Sequence, residues 1–197
     1  MDFTVPQQGN TRFMYVLPFS GKEALIEYTL FSEKPLAPKA YENAIGRYIA
    51  EMGIAHYTIT EKEQGSIPMT CYDFSRHNSK NILHIGTAGG WTKPSTGYTF
   101  LNAVRKTGEL TSFLKKDLPL TRFGTKTRFR YYDLLFLDVL YRQNELGASI
   151  FSALFKRNTP ERILRFLDEQ TTFAEDLKIL FSLPASPFIK SAFRRIF

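Results

Sequence analysis

A cluster of glycines near the middle of the chain constrains the fold more than any other feature. Four of them lie within twelve residues: Gly86, Gly89, Gly90 and Gly97. A short apolar run (residues 81–85) precedes them, and a helical pattern follows to about Lys116. Glycine lets a backbone turn sharply and approach another group closely, and the free N–H groups at a helix start suit a phosphate or an electron-rich ring oxygen. The pattern predicts a strand, a glycine-rich turn and a helix, and its spacing alone fits a tight turn without a ligand equally well.

The chain before this turn is predicted to be rich in β-structure. Residues 12–19 and 24–31 are aromatic and aliphatic, and turn residues 20–23 separate them, which indicates a hairpin. The second strand is largely apolar on both faces, so it is either covered on both sides or lines a pocket. A helix is predicted over 41–52 with a stop at Gly53, and a short alternating strand over 56–60.

The chain after the turn is predicted to be helical. Residues 130–156 fit two helices separated near Gly147. Thr159 and Pro160 supply an N-cap and a first-turn proline, and Thr172 with Glu175 forms a capping box. The predicted fold class is α+β, in three parts: residues 1–80 as an antiparallel sheet with one helix, 81–116 as the strand, turn and helix, and 117–197 as a helical region.

The net charge of +7 is confined to one half of the chain. Residues 1–100 contain 9 Lys/Arg and 9 Asp/Glu, whereas 101–197 contain 17 and 10. A basic half is typical of a nucleic-acid, anionic-lipid or merely solvated surface, but no zinc spacing or basic-aromatic RNA motif supports nucleic acid. The single cysteine, Cys71, excludes an intrachain disulfide and fits a reducing compartment.

Residues 85–100, read as IGTAGGWTKPSTGYTF, resemble the second flavin-contacting motif of the lycopene beta-cyclases. Flavin-dependent hydroxylases and reductases share the general form, although an Asp commonly occupies the position of Thr87 there. Residues 15–29 resemble the cyclase segment that carries an acidic residue needed for activity. Residues 63–70 resemble the segment that connects the substrate sheet to the flavin domain. The three segments follow the order of the family.

The resemblance implies part of an FAD-dependent hydroxylase/reductase-like fold. Residues 1–80 would be the substrate sheet and 81–116 a flavin-contacting unit, with reduced FAD as cofactor and NAD(P)H as its reductant. The implied cofactor contacts are Gly86, Thr87, Gly89, Gly90, Pro94, Ser95, Thr96, Gly97 and Tyr98. The Gly-x-Gly-x-x-Gly fingerprint of an N-terminal Rossmann half is missing from the sequence. We therefore expect a truncated product or one half of a split enzyme, which alone binds FAD weakly and is inactive.

The implied reaction is the proton-initiated, redox-neutral cyclisation of lycopene, or of another acyclic carotenoid, to beta-ionone rings. Glu27 is the candidate catalytic residue, because a carboxyl group facing an apolar cavity is favoured in its neutral, proton-donating form. An ordinary solvent-facing glutamate on an edge strand is the alternative interpretation. The resemblance and the apolar surroundings predict substrate contacts at Tyr28, Phe31 and Met69. No metal-ligand pattern connects the three histidines.

The C-terminal stretch, residues 182–197, mixes Phe and Ile with basic residues. Such a segment is typical of an interfacial membrane anchor, and a helix that docks its aromatic residues onto the body is equally compatible. We expect a protein at the cytoplasmic face of the cell membrane, where a carotenoid would be drawn from the bilayer. The alternatives are another flavin-dependent oxidoreductase, a hydroxylase or isoprenoid reductase, and a non-catalytic peripheral membrane protein.

Overall fold

The computed structural model describes residues 1–124 and 127–196. Within these ranges the chain has two β-strands and seven α-helices. Their bounds are β1 Arg12–Pro18, β2 Ala24–Leu30, α1 Pro38–Glu51, α2 Phe100–Leu114, α3 Phe129–Arg142, α4 Gly147–Arg157, α5 Pro160–Leu167, α6 Phe173–Ser182 and α7 Ala185–Ile196. The chain forms two compact units, of which the first comprises residues 1–66 and 140–153 and the second 67–139 and 154–197. The mixture of a small antiparallel sheet with many helices agrees with the predicted α+β class.

The hairpin of the first unit forms where the sequence predicts it. β1 and β2 pair antiparallel, with Met14 opposite Tyr28 and Val16 opposite Ile26. These side chains share one face of the sheet because strand residues alternate between faces. They form the core of this unit with Val5 and one side of α1, whose contributing residues are Tyr41, Ala44, Ile45 and Tyr48. The helix starts at Pro38, three residues before the predicted start, and Gly53 adopts the left-handed conformation that ends it.

Aromatic rings cover part of the opposite face of the hairpin. Phe3 lies 5.2 Å from Phe13 and 5.5 Å from Phe151, between ring centroids, and Phe31 lies 5.9 Å from Phe151. Burial of these rings contributes much of the hydrophobic stabilisation here. The hairpin is therefore covered on both faces near the Arg12 end.

A second contact in the first unit depends on the absence of a side chain. Thr11 is fully buried; its hydroxyl donates to the carbonyl of Asn144 at 2.5 Å, and its backbone N–H donates to the Asn144 side-chain oxygen at 2.7 Å. Gly147, the first residue of α4, lies directly beside it. A Cβ atom added to Gly147 would lie 1.9 Å from the Thr11 hydroxyl, so only glycine fits.

Two predicted strands, residues 56–60 and 81–85, are absent, and the prediction is wrong at both places. A strand exists only through ladder hydrogen bonds to a neighbour, and the second segment uses its backbone differently. Ser79 donates its N–H to the carbonyl of Ile82 at 2.9 Å, and Gly89 donates to that of Ile85 at 3.0 Å. These bonds close turns on both sides of the apolar run.

The helices of the second unit form as predicted, including their caps. Thr159 accepts a bond from the Arg162 N–H ahead of Pro160, and Thr172 and Glu175 complete the capping box. Such caps satisfy N–H groups that a helix start leaves without a partner. Among the described residues no helix is long and apolar enough to cross a membrane.

We predict that Gly147→Ala lowers the free energy of unfolding by about 1–3 kcal/mol, because the methyl group would overpack the buried Thr11. Urea unfolding followed by circular dichroism measures the change. Gly46→Ala in α1 is the matched control, since nothing lies within 4 Å of its added Cβ, and it should raise the stability by about 0.5–1 kcal/mol. A Gly147→Ala variant as stable as the unchanged chain would contradict this account.

Candidate functional site

The glycine-rich turn, residues 86–98, lies in the second unit. Residues Gly86–Gly89 form one turn of 3-10 helix, and Gly90 ends it in the left-handed conformation at φ 71°. Trp91 closes this turn by donating its N–H to the Gly86 carbonyl at 2.9 Å. Asn102, a buried residue of α2, donates its side-chain amide to the Trp91 carbonyl at 2.6 Å and ties the helix to the turn.

Close approach of the chain to itself explains two of the four glycines. A Cβ at Gly89 would lie 2.1 Å from the backbone oxygen of His84, and one at Gly90 would lie 3.0 Å from the ring of Phe74. Gly97 and Gly86 have positive φ angles of 74° and 60°, a conformation that residues other than glycine rarely adopt. The Cβ position of Gly86 also faces open space. The first half of the turn thus has a surface that a ligand can reach, around Gly86 and the exposed Thr87.

The second half of the turn points into the protein. The Lys93 side chain is 1% exposed, and its Nζ lies 3.0 Å from an Asp133 carboxylate oxygen on α3 and 3.6 Å from a Glu169 oxygen. Ser95 donates its hydroxyl to the other Asp133 oxygen at 2.5 Å. The rings of Phe129 and Phe166 lie 5.5 and 5.9 Å from the same ammonium group. Two residues of the turn are therefore fastened to α3 by one buried carboxylate.

Burial dominates the electrostatics of this cluster. It raises the pKa of Asp133, and the charge and hydrogen bond of Lys93 oppose that rise without cancelling it. A buried ion is costly unless it is paired and hydrogen-bonded. Asp133 meets both conditions, with Lys93 on one oxygen and Ser95 on the other.

A cavity of about 250 Å³ borders the turn within the second unit. Its wall includes Thr87, Gly90 and Thr92 of the turn, together with Lys106 and Cys71. Burial lowers the pKa of Lys106 and raises the pKa of Cys71. An anionic group placed beside Lys106 would favour its charged form. The cavity is smaller than the roughly 300–1,000 Å³ of ordinary ligand pockets.

The predicted cofactor-contacting residues fit a flavin in part. Gly86, Thr87 and Gly90 lie at the accessible half of the turn, and Pro94, Thr96, Gly97 and Tyr98 are half-buried. Several turn amides are already used, since Gly97 donates to the Lys93 carbonyl at 2.9 Å and Tyr98 to the Thr96 hydroxyl at 3.4 Å. The Ser95 hydroxyl already donates a hydrogen bond to Asp133. A cofactor contact of Ser95 would therefore involve its backbone. A flavin contact stays a prediction for this set.

Glu27 belongs to the first unit and lies on the partly open face of the hairpin. Its side chain is exposed, pairs with Tyr15 across the sheet, and accepts a hydrogen bond from the Thr29 hydroxyl at 2.8 Å. Tyr15 and Leu17 on the same face are 40% and 43% exposed. The Glu27 carboxylate therefore lies beside exposed apolar side chains, rather than facing the apolar cavity considered for it from the sequence, and its catalytic role stays a prediction.

The predicted substrate contacts occupy three different surroundings. The Tyr28 ring is buried on the face opposite Glu27, beside Tyr41, and its hydroxyl accepts a bond from Arg12 at 3.2 Å. Phe31 lies in the aromatic cluster of the hairpin. Met69 is a half-buried residue of the second unit. A substrate contact stays a prediction for all three residues.

Sequence reasoning missed the cluster that holds the turn. Lys93 and Ser95 were visible inside the motif, but their partner Asp133 follows 40 residues later. One signal was present: Asp133 directly precedes the apolar residues 134–137 of a predicted helix, and a carboxylate is almost never fully buried unless it is paired. Among the described residues, no group of His, Cys, Asp or Glu is arranged to hold a metal ion.

We predict that Lys93→Met lowers the free energy of unfolding by about 3–5 kcal/mol, the usual cost of leaving a buried charge without its partner. Chemical denaturation measures the loss. Lys39→Met is the matched control, because the Lys39–Glu42 pair is exposed and its removal should change stability by no more than about 1 kcal/mol. Equal effects of both substitutions would show that the buried pair does not hold the turn.

The amino-acid sequence matches known proteins of one family. The chain is 29% identical to the lycopene beta-cyclase of Pantoea ananas over 202 residues, which cover 96% of this chain and 52% of that protein. It is 33% identical over 104 residues to the lycopene beta-cyclase of Paracoccus sp. and 30% identical over 108 residues to that of Pseudescherichia vulneris, which cover 50% and 53% of this chain and 27% and 28% of those proteins.

The chain thus spans about half the length of the Pantoea relative. No solved structure matches the chain significantly. The family described as lycopene cyclase protein matches residues 1–193, nearly the full chain. This protein belongs to the lycopene cyclase family.

Proposed function

We propose that this chain contributes the substrate sheet and the second flavin-contacting turn of a lycopene beta-cyclase. The observation that carries the proposal is the family match over residues 1–193, which includes both the hairpin of Glu27 and the glycine-rich turn. The proposed substrate is lycopene or another acyclic carotenoid. The proposed reaction belongs to carotenoid biosynthesis and is an intramolecular cyclisation without net oxidation or reduction.

The reaction needs a proton donor beside an apolar chain. A proton adds to the terminal alkene of the substrate, the resulting cation closes a six-membered ring, and loss of a proton gives the beta-ionone ring. Glu27 is the proposed proton donor, or the anion that stabilises the developing positive charge. Glu27 lies beside the apolar side chains of Tyr15, Leu17 and Leu25 on one face of the hairpin. The proposed donor role needs the substrate to cover this face, because only desolvation favours the neutral carboxyl group.

The glycine-rich turn is proposed to hold the flavin at its accessible half, through Gly86, Thr87 and the neighbouring backbone. Reduced FAD would supply negative charge near the cationic centre, with NAD(P)H keeping it reduced. Lys93 and Ser95 would fix the shape of the turn through their contacts with the buried Asp133. Because this chain spans about half the length of its relatives, we propose that on its own it binds FAD weakly and is inactive.

We also propose that the protein works at the cytoplasmic face of the cell membrane, because a long hydrocarbon such as lycopene partitions into the bilayer. A peripheral position would let the substrate pass from lipid onto the open face of the hairpin. The positive charge of residues 101–197 supports this location, since membrane surfaces that contain anionic lipids attract basic segments.

Expression in lycopene-accumulating cells tests this function. The chain is produced together with the N-terminal half of the Pantoea relative, and carotenoids are separated by chromatography. A cyclic carotene supports the proposal, whereas a hydroxylated or saturated product would identify another flavin-dependent oxidoreductase. Vesicle flotation distinguishes the remaining case. If lycopene is not converted but floats together with the protein on vesicles, the chain is a non-catalytic membrane protein.

In the same cells we predict that Glu27→Gln lowers cyclic carotene by at least about 100-fold, the order lost when a general acid is removed. Glu23→Gln is the matched control, because Glu23 lies exposed in the turn of the same hairpin and its removal should leave the product unchanged. Circular dichroism checks that both variants fold. Full turnover by Glu27→Gln would remove Glu27 from the reaction.

A further inference from the structure

Residues 54–60, which we call the exposed segment, have the composition of a strand but no secondary structure. They follow Gly53, which ends α1, and read IAHYTIT. Five of the seven are β-branched residues or tyrosine, which are enriched in strands. Every residue of the segment is exposed. The segment therefore has the chemistry of a strand without the hydrogen-bonded neighbour that a strand requires.

The peptide groups of this segment are not used by the rest of the chain. Ile54 donates its N–H to the Ile49 carbonyl of α1 at 3.3 Å. Within residues 1–124 and 127–196, residues 55–61 make no hydrogen bond to the backbone of another residue. Lys62 then donates its side chain to Glu42, near the start of α1, at 2.9 Å. The segment is thus attached at both ends, and the peptide groups between the attachments face water or another chain.

The side chains of the segment are equally uncovered. In a strand, Ala55, Tyr57 and Ile59 would share one face, because successive residues alternate between faces. Tyr57 is 53% exposed and Ile59 57%. Residues 54–60 contain no proline and no lysine, arginine, aspartate or glutamate, which are the residues that natural proteins use to protect an exposed edge from pairing. The segment is therefore suited to pairing with another strand.

The sheet of the first unit is small for a sheet that must be stable by itself. It consists of β1 and β2 only, in the part of the chain that the structure describes. A two-stranded sheet is marginal, and three or more strands are ordinarily needed. The match to the Pantoea relative covers 96% of this chain but 52% of that protein, so about half of the relative has no counterpart here. That other half is a polypeptide long enough to supply further strands.

We propose that the exposed segment becomes a β-strand by pairing with a strand of a polypeptide that corresponds to the unmatched half of the Pantoea relative. Main-chain hydrogen bonds give such strand addition its affinity, and the partner's side chains cover Tyr57 and Ile59. Lipid does not fit, because acyl chains offer no hydrogen bonds to peptide groups. The relative's length favours the other half over a second copy of this chain, since one protein then carries both the segment and its partner. The inference rests on the proposed function, in which this chain works together with that half.

Hydrogen exchange followed by mass spectrometry tests the proposal. The 197-residue chain is purified alone and, after co-expression, together with the N-terminal half of the Pantoea relative, without carotenoid or added flavin. In the chain alone we expect the amides of residues 55–60 to exchange rapidly, because they have no hydrogen-bond partner in the chain. In the complex we expect their exchange to slow by about tenfold or more, as ladder hydrogen bonds protect them.

Proline substitutions at two adjacent positions test whether the backbone makes the contact. Thr58→Pro and Ile59→Pro each remove one N–H group, and the N–H groups of adjacent strand residues point to opposite edges. At least one of the two should therefore lower the amount of co-purified partner by about tenfold or more. Neither should change the thermal stability of the chain alone, where these residues make no backbone hydrogen bond. Thr58→Ala and Ile59→Ala are the matched controls, because they keep the N–H group and should have smaller effects.

Four results would overturn the inference. They are rapid exchange of residues 55–60 in the complex, failure of the two halves to co-purify, normal co-purification of both proline variants, and a dimer of the chain alone that these variants abolish. The last result would assign the segment to a second copy of the chain. Because the assay contains no carotenoid, a protected segment without cyclic carotene in cells would reject the proposed function and leave this inference standing. Cyclic carotene without protection of the segment would do the reverse.

Discussion

A lysine buried between two carboxylates fixes the glycine-rich turn to the rest of its unit. Lys93 lies in the glycine-rich turn, and its ammonium group meets Asp133 of α3 and Glu169 beyond α5. Breaking such a pair leaves a buried charge without compensation, which is far more costly than the loss of an exposed pair. The accessible half of the turn, around Gly86 and Thr87, depends on this attachment for its shape. The surface proposed to contact the flavin is therefore one half of a loop, and the other half of that loop, which contains Lys93, is buried.

The sequence predicted those elements that depend on local signals. Caps such as Thr172 with Glu175, the first-turn Pro160 and the stop at Gly53 act within one helical turn, and all of them appear where expected. The hairpin was equally readable, because turn residues separate two apolar runs. These elements need no information from distant parts of the chain.

Features that depend on distant partners were missed. Residues 81–85 have the composition of a strand, but strand formation needs a neighbouring ladder, and their backbone closes turns with Ser79 and Gly89 instead. The Lys93–Asp133 pair joins residues 40 positions apart, so no local pattern contains it. Tyr28 shows the same limitation, since only the packing of α1 assigns its face of β2 to the core.

Two exposed apolar surfaces differ in their charged neighbours. The patch around Glu27 combines the exposed Tyr15 and Leu17 side chains with a carboxylate. On α6 the exposed Phe173 and Phe181 side chains have the exposed Lys178 nearby.

A double-mutant cycle on Lys93 and Asp133 tests the attachment of the turn most directly. The free energies of unfolding of Lys93→Met, Asp133→Asn and the combined variant are compared with that of the unchanged chain. We expect the two substitutions to be coupled by about 1–3 kcal/mol, as for residues in direct contact. Additivity within about 0.5 kcal/mol would mean that the two side chains act independently, and that the turn is held by something else.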